Sequence, residues 1–225
     1  LHLSRGLGDV YKRQDGNNRW SKKNNKTKYF SYKLGAKKLI DLSKFIFDNY
    51  DINFVSAFAL SKHNIKRGSY LQNIIKRVLR DFLDQDSHKN NYNFNITFKG
   101  DLSFLPKKMV KEIKNLEKSN KKSKNQLIIY LNYSGRDDII AATKSLNKNK
   151  ISNELIFQKF LKSSKTPDPD MLIRSGGFKR LSDFFLYQVS FTDFFFTKTL
   201  WPDVKKSQIN KFINEFYKIE RKFGI

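Results

Sequence analysis

Short β-rich apolar runs alternate with segments of helical periodicity along most of this chain. Residues 53–60, 93–98, 126–131, 171–173 and 184–189 read as strands, bounded by polar or turn-forming residues. Before, between and after them, residues 34–47, 70–82, 105–116, 137–146, 155–161 and 206–223 space their apolar side chains as helices do. Strand-helix alternation of this kind predicts a single α/β domain with a largely parallel central sheet, flanked by helices that form right-handed crossovers. Folds of that class take their ligands at the carboxyl ends of the strands. The Lys- and Asn-rich stretches 22–26, 89–91, 118–125 and 147–150 read as solvated loops between elements.

A hydrophobic fraction of 39% over 225 residues supports a real core. The absence of cysteine excludes disulfides and Cys-ligated zinc, and it allows a reducing compartment. No run approaches the roughly 20 apolar residues that span a bilayer. No apolar stretch follows the early charges as in a signal peptide. The formal net charge is +24. It is compatible with nucleic acid, with phosphorylated ligands and anionic membranes, or with simple compositional drift towards Lys, Asn, Ile and Phe. The lysines are spread over every segment rather than gathered in a stripe, which argues against a nucleic-acid interface. Residues 1–14 carry glycine or serine breakers and charges without an apolar period. They read as a non-native or disordered leader resembling translated linker sequence, with the catalytic domain expected over 15–225.

Three clusters carry chemistry. Asp15-Gly16-Asn17-Asn18-Arg19-Trp20 stands at an expected helix start, where a carboxylate can hold a metal and backbone N–H groups suit phosphate. The same residues also make a common turn. Arg174-Ser175-Gly176-Gly177, with Arg180 and Ser182, follows the strand 171–173. Two arginines can clamp a diphosphate there, and two glycines allow a backbone nest. The alternative is a strand-to-loop turn with surface arginines. Asp193, set in the aromatic run 191–196 ahead of Trp201-Pro202-Asp203, wants a metal or a cation if buried, and is an ordinary strand-end residue if exposed.

These clusters resemble the cis-prenyltransferase family of the undecaprenyl diphosphate synthase kind. Asp15 to Trp20 matches the family's Asp-Gly-Asn-x-Arg-Trp, and Ile173 to Gln188 follows its Ile-Arg-Thr-Gly-Gly-Glu-x-Arg-x-Ser stretch. Gly100-Asp101, Asn132 to Arg136, and Trp201 to Asp203 match further motifs in order. The resemblance implies an enzyme that condenses isopentenyl diphosphate onto an allylic diphosphate, by analogy farnesyl diphosphate, to make a long polyprenyl (undecaprenyl) diphosphate in an apolar tunnel. It implies Mg²⁺ held by Asp15 and Asp193, and the family asparagine near the reacting carbons at Asn64. Substrate contacts would come from Gly16, Asn17, Arg19, Trp20, Lys28, Tyr32, Arg67, Arg174, Arg180 and Ser182. A homodimer is implied, in the cytoplasm, with peripheral membrane contact at the inner face through the lipid product.

The chain departs from the pattern in places. Tyr32 stands for a His, Lys28 for an Arg, and His63 and Ile65 for the residues flanking Asn64. Phe178 stands for a Glu, Asp183 for an Asn and Asp193 for a Glu. These departures motivate an alternative reading as a non-catalytic partner subunit of the same fold. Asp137-Asp138 lacks the third carboxylate of trans-type prenyltransferases.

Overall fold

A computed structural model describes residues 9–13, 16–65, 68–89, 92–119, 123–148, 153–164 and 166–220. Strands β1 (Asp9–Arg13), β2 (Phe54–Ser61), β3 (Asn95–Gly100), β4 (Gln126–Tyr133), β5 (Met171–Arg174) and β6 (Asp193–Phe196) form one sheet in the order β3-β4-β2-β1-β5-β6. Every neighbouring pair is parallel. The α/β class read from the sequence is the one observed.

The helices are α1 (Asn17–Lys23), α2 (Lys28–Asn49), α3 (Lys62–Ile65), α4 (Ser69–Lys89), α5 (Lys107–Ser119), α6 (Gly135–Lys148), α7 (Glu154–Phe160) and α8 (Lys206–Phe216). Thr27 starts α2 by accepting a hydrogen bond from Phe30 N at 3.1 Å, which satisfies one orphan donor of the first turn. The strands sort their side chains with period two. Val55, Ala57, Leu127, Ile129, Met171 and Ile173 face one layer, built from Leu39, Leu42 and Ile46 of α2, Ile75 and Leu79 of α4, Ile113 of α5 and Ile213 of α8. Phe58, Ile128, Tyr130 and Leu172 join Tyr133, Phe184 and Phe185 in a second, smaller cluster.

Two expectations are corrected. Residues 184–189 are not a strand: they belong to a turn-rich segment, and the neighbouring strand is β6 at Asp193–Phe196. The aromatic content that reads as β serves instead to fill the second cluster, where the Phe184 and Phe185 rings stack at 3.8 Å. Phe185 has φ 47°, outside the range a strand residue takes. Residues 9–13, within the expected leader, form β1 at the centre of the sheet, in register with both β2 and β5. Residues 1–8 lie outside the described residues.

Candidate active site

The carboxyl ends of β1, β2 and β5 open into a cleft of about 730 Å³. Gly16, Asn17 and Arg19 line it from the start of α1, Lys28 and Tyr32 from α2, and Asn64 from α3. Arg180 and Ser182 line it from the loop after β5, so most of the residues the family resemblance singles out converge. Asn18 of the first cluster lines it as well, as do Leu71 and two residues that no motif singled out, Ser61 and Tyr70. Arg136 lines it from α6. His63, Phe178 and Asp183, noted only as departures from the family pattern, are lining residues too.

Gly16 makes the turn into the cleft. Its φ is 108°, a conformation that favours glycine, and a Cβ there would crowd Leu200, whose Cδ2 would lie 2.9 Å away. Asn17 is buried and accepts a 2.6 Å hydrogen bond from Ser31 Oγ on its backbone oxygen, which fixes α1 against α2. Arg19 donates from Nη2 to Gly176 O at 2.6 Å, tying the first cluster to the loop after β5. Arg174 is only 1% exposed and lies beneath the cleft rather than along it; its Nη1 donates to Ser182 Oγ at 3.4 Å. Three guanidiniums surround the Phe178 ring: Arg180 at 4.3 Å, Arg19 at 4.7 Å and Arg174 at 5.8 Å from its centroid. Lys28 sits 5.0 Å from the centre of the Tyr70 ring. The rim is cationic and aromatic together.

Some expected residues do other work. Trp20 is buried, stacks on Phe30 and donates to Asp203 Oδ1 at 2.7 Å, so it joins α1 to the Trp201–Asp203 turn instead of lining the cleft. The two glycines do not form a free nest: Gly176 N–H donates to Thr199 O at 2.8 Å and Gly177 N–H to Thr197 O at 2.9 Å. Asp193 opens β6 level with Met171, while Arg174 is level with Phe196. Three residues of strand, about 10 Å, therefore separate it from the cleft end of the sheet. Asp15 and Arg67 lie outside the described residues.

The described residues do not make a divalent-cation site. No group of three or more His, Cys, Asp or Glu side chains among them could hold a metal. Asp183 is the one acidic residue of the described lining, and its carboxylate already accepts from Arg136 N at 3.1 Å and faces His63 Nε2 at 3.4 Å.

Tyr32 and Ala59 line the cleft and also a narrow apolar cavity of about 60 Å³, walled by Leu39, Ile75, Leu79, Phe98, Ile129 and Leu131 among others. A cationic basin leading into an apolar throat fits an amphiphile with an anionic head and a hydrocarbon tail.

The family model described as "Putative undecaprenyl diphosphate synthase" matches residues 14–224. The chain belongs to this family. It is 34% identical over 215 residues to the isoprenyl transferase of Wolinella succinogenes, covering 93% of each chain. It is 34% identical over 220 residues to the tritrans,polycis-undecaprenyl-diphosphate synthase (geranylgeranyl-diphosphate specific) of Pyrobaculum aerophilum, covering 93% of this chain and 92% of that one. Its fold superposes with a TM-score of 0.85 on lavandulyl diphosphate synthase from Lavandula x intermedia in complex with dimethylallyl diphosphate. That protein is 26% identical, and 98% of this chain and 99% of that one are covered. This chain is therefore a cis-prenyltransferase by family, and prenyl diphosphate substrates are consistent with that family. Among the described residues no helix is long and apolar enough to cross a membrane.

Proposed function

We propose that this protein condenses isopentenyl diphosphate onto an allylic diphosphate, farnesyl diphosphate in the simplest case, to give a long polyprenyl diphosphate of the undecaprenyl type. The observation that carries the reading is the single cleft in which Arg19, Lys28, Arg136 and Arg180 stand over a throat lined by apolar side chains. In allylic transfer the carbon–oxygen bond to diphosphate breaks as positive charge grows on the hydrocarbon. The alkene of isopentenyl diphosphate attacks that carbon and loses a proton. Negative charge gathers on the leaving oxygens, so preorganised guanidinium groups stabilise the transition state more than the ground state. Arg19 is held for that task by Gly176 O, while Arg174, beneath the cleft, donates to Ser182 Oγ of the lining. Arg180 presents its charge directly to the cleft. Asn64 stands on the cleft wall, its backbone N–H donating to Ser61 Oγ at 3.2 Å. Apolar walls hold the tail at roughly 0.8 kcal/mol per buried CH₂.

Mg²⁺ would neutralise diphosphate oxygens and is proposed as the cofactor, with Asp15 as its protein ligand. A homodimer, with Asp193 near its interface, and peripheral contact with the cytoplasmic membrane face through the lipid product complete the proposal. The test is incorporation of labelled isopentenyl diphosphate with farnesyl diphosphate and Mg²⁺, beside Asp15→Ala. Labelled polyprenyl product that disappears with Asp15→Ala supports the reading. Folded protein that binds both diphosphates without turnover would transfer the proposal to a non-catalytic partner subunit.

A further inference from the structure

Condensation requires a proton to leave the isopentenyl unit, and some group must receive it. Apart from His63 and Asp183, the polar side chains of the described cleft lining are guanidiniums, an ammonium, amides, hydroxyls and phenols. Of all these types, only an imidazole or a carboxylate ordinarily accepts a proton near neutral pH. His63 and Asp183 both depart from the family pattern, and the fold brings them face to face. His63 Nε2 stands 3.4 Å from Asp183 Oδ2.

Asp183 is fixed from the start of α6. Its carbonyl oxygen accepts from Gly135 N at 2.8 Å and its Oδ1 from Arg136 N at 3.1 Å. Its side chain is only 9% exposed, and Oδ2 is buried without a hydrogen-bond partner. A buried carboxylate oxygen left without a donor is costly, and His63 Nε2 is the nitrogen that faces it. An imidazole that carries its proton on Nε2 keeps a lone pair on Nδ1. The His63 side chain is 64% exposed and lines the cleft beside Asn64 on α3, so the ring stands at the ligand space with Asp183 behind it. The charged groups on the elements around this pair are Arg180 from the loop after β5, Arg136 from α6, and Lys62 of α3, which is bound to Asp137 of α6. Tyr70 lines the cleft from α4.

We propose that His63, oriented by Asp183, is the general base that takes the proton lost from isopentenyl diphosphate. The proposal rests on the condensation reading above. The C–O bond of the allylic substrate breaks, and its electron pair leaves with diphosphate. The alkene pair of isopentenyl diphosphate forms the new C–C bond. The adjacent C–H bond then gives its proton to His63 Nδ1 and its electron pair to the new double bond. Asp183 stabilises the imidazolium that results, as a carboxylate does behind any histidine base. The exposed ring returns the proton to water, so no oxidant, reductant or further reactant is needed.

The experiment uses the full chain, as wild type, His63→Gln and Asp183→Asn. Farnesyl diphosphate and labelled isopentenyl diphosphate are supplied, and the single-turnover rate of the first addition is read from about pH 5 to 8, the range in which histidine changes charge. Glutamine keeps a side-chain donor for Asp183 and removes the base. The proposal expects the wild-type rate to rise with pH across that range. His63→Gln should lose about 100-fold or more in rate, bind both diphosphates as the wild type does, and lose the rise. In Asp183→Asn the rise should move to lower pH, because the lost carboxylate no longer favours the imidazolium. A His63→Gln rate within about threefold of wild type, or the same rise with pH in that variant, overturns the proposal and leaves the condensation reading intact. A loss of rate matched by an equal loss of diphosphate affinity marks a structural role and overturns it as well. A wild type that adds no unit at all overturns the condensation reading, and this proposal with it. If His63→Gln melts early, His63→Asn takes its place under the same criteria.

Discussion

Replacing Phe178 by Leu removes an aromatic ring from the middle of three arginines at little change in volume. Arg180 and Arg19 lie 4.3 and 4.7 Å from its centroid, well within the range of about 6 Å where a cation is attracted to a ring face. Arg174, at 5.8 Å, is at the edge of that range and contributes little. At partly exposed sites each close pair is worth about 0.5–1 kcal/mol, so the ring supplies about 1–2 kcal/mol of positioning. If that positioning is lost to the bound anion, affinity for diphosphate falls roughly 5- to 30-fold. Titration calorimetry with inorganic diphosphate reads this directly and needs no turnover. Phe178→Tyr retains a ring and should bind as the wild type does. Phe178→Glu is expected to weaken binding beyond Phe178→Leu, because it sets a carboxylate among the same guanidiniums to compete with the ligand. Equal affinity of wild type and Phe178→Leu, in proteins of equal melting temperature, refutes the assignment and makes the ring an incidental neighbour.

Gly100→Ala should be among the most damaging small substitutions in the chain. With φ 111° and a Cβ that would fall 1.8 Å from Leu131 O, the β3–β4 pairing must shift, and a loss of roughly 3 kcal/mol or more is expected in urea unfolding. Gly35→Ala tests propensity against packing: Ala is better in a helix by about 1 kcal/mol. Its Cβ would nevertheless meet Asn17 Oδ1 at 2.6 Å and Trp201 Cδ1 at 3.0 Å, so a net loss of stability is expected. Asp138 is buried, accepts from Tyr133 Oη at 2.8 Å and Lys162 N at 2.9 Å, and has its pKa raised above the ordinary 3.8 by burial. A raised carboxyl favours the folded state below pH 3.8 and loses that contribution as pH rises through the folded pKa. Urea unfolding should therefore show wild-type stability falling relative to Asp138→Asn across that interval. A difference that stays constant with pH would contradict the sign.

The α/β alternation was legible because it is written in periodicity. Val55 and Ala57 face one layer while Phe58 faces the other, as their spacing dictates. What misled was residue type without conformation. Phe184 and Phe185 carry strong β propensity, yet the chain turns there because positive φ at Ser182, Asp183 and Phe185 directs the rings into the second cluster. β1 was illegible for the opposite reason. It has no apolar period, and its place comes from ladder hydrogen bonds to β2 and β5, which leave no mark on local sequence. The cleft residues Gly16, Asn17, Arg19, Arg180 and Ser182 were named from the family resemblance and do converge. The partners of Trp20 and of the two glycines at 176 and 177 come from Asp203, Thr197 and Thr199, at least 20 residues away, and spacing alone does not reveal them. The ring of Phe178 among three arginines is likewise a product of folding.

The most direct measurement is the transfer of label from isopentenyl diphosphate to an allylic primer, wild type against Arg180→Ala, with isopentenyl diphosphate affinity measured on both proteins. Arg180 is exposed in the cleft, so its removal spares the core. A charge-assisted contact of about 1.5–3 kcal/mol predicts roughly a ten- to hundredfold loss in kcat/KM. The account predicts extended products with newly formed cis double bonds from the wild type and that loss in the variant. Folded wild-type protein that binds both diphosphates and transfers no label would contradict it.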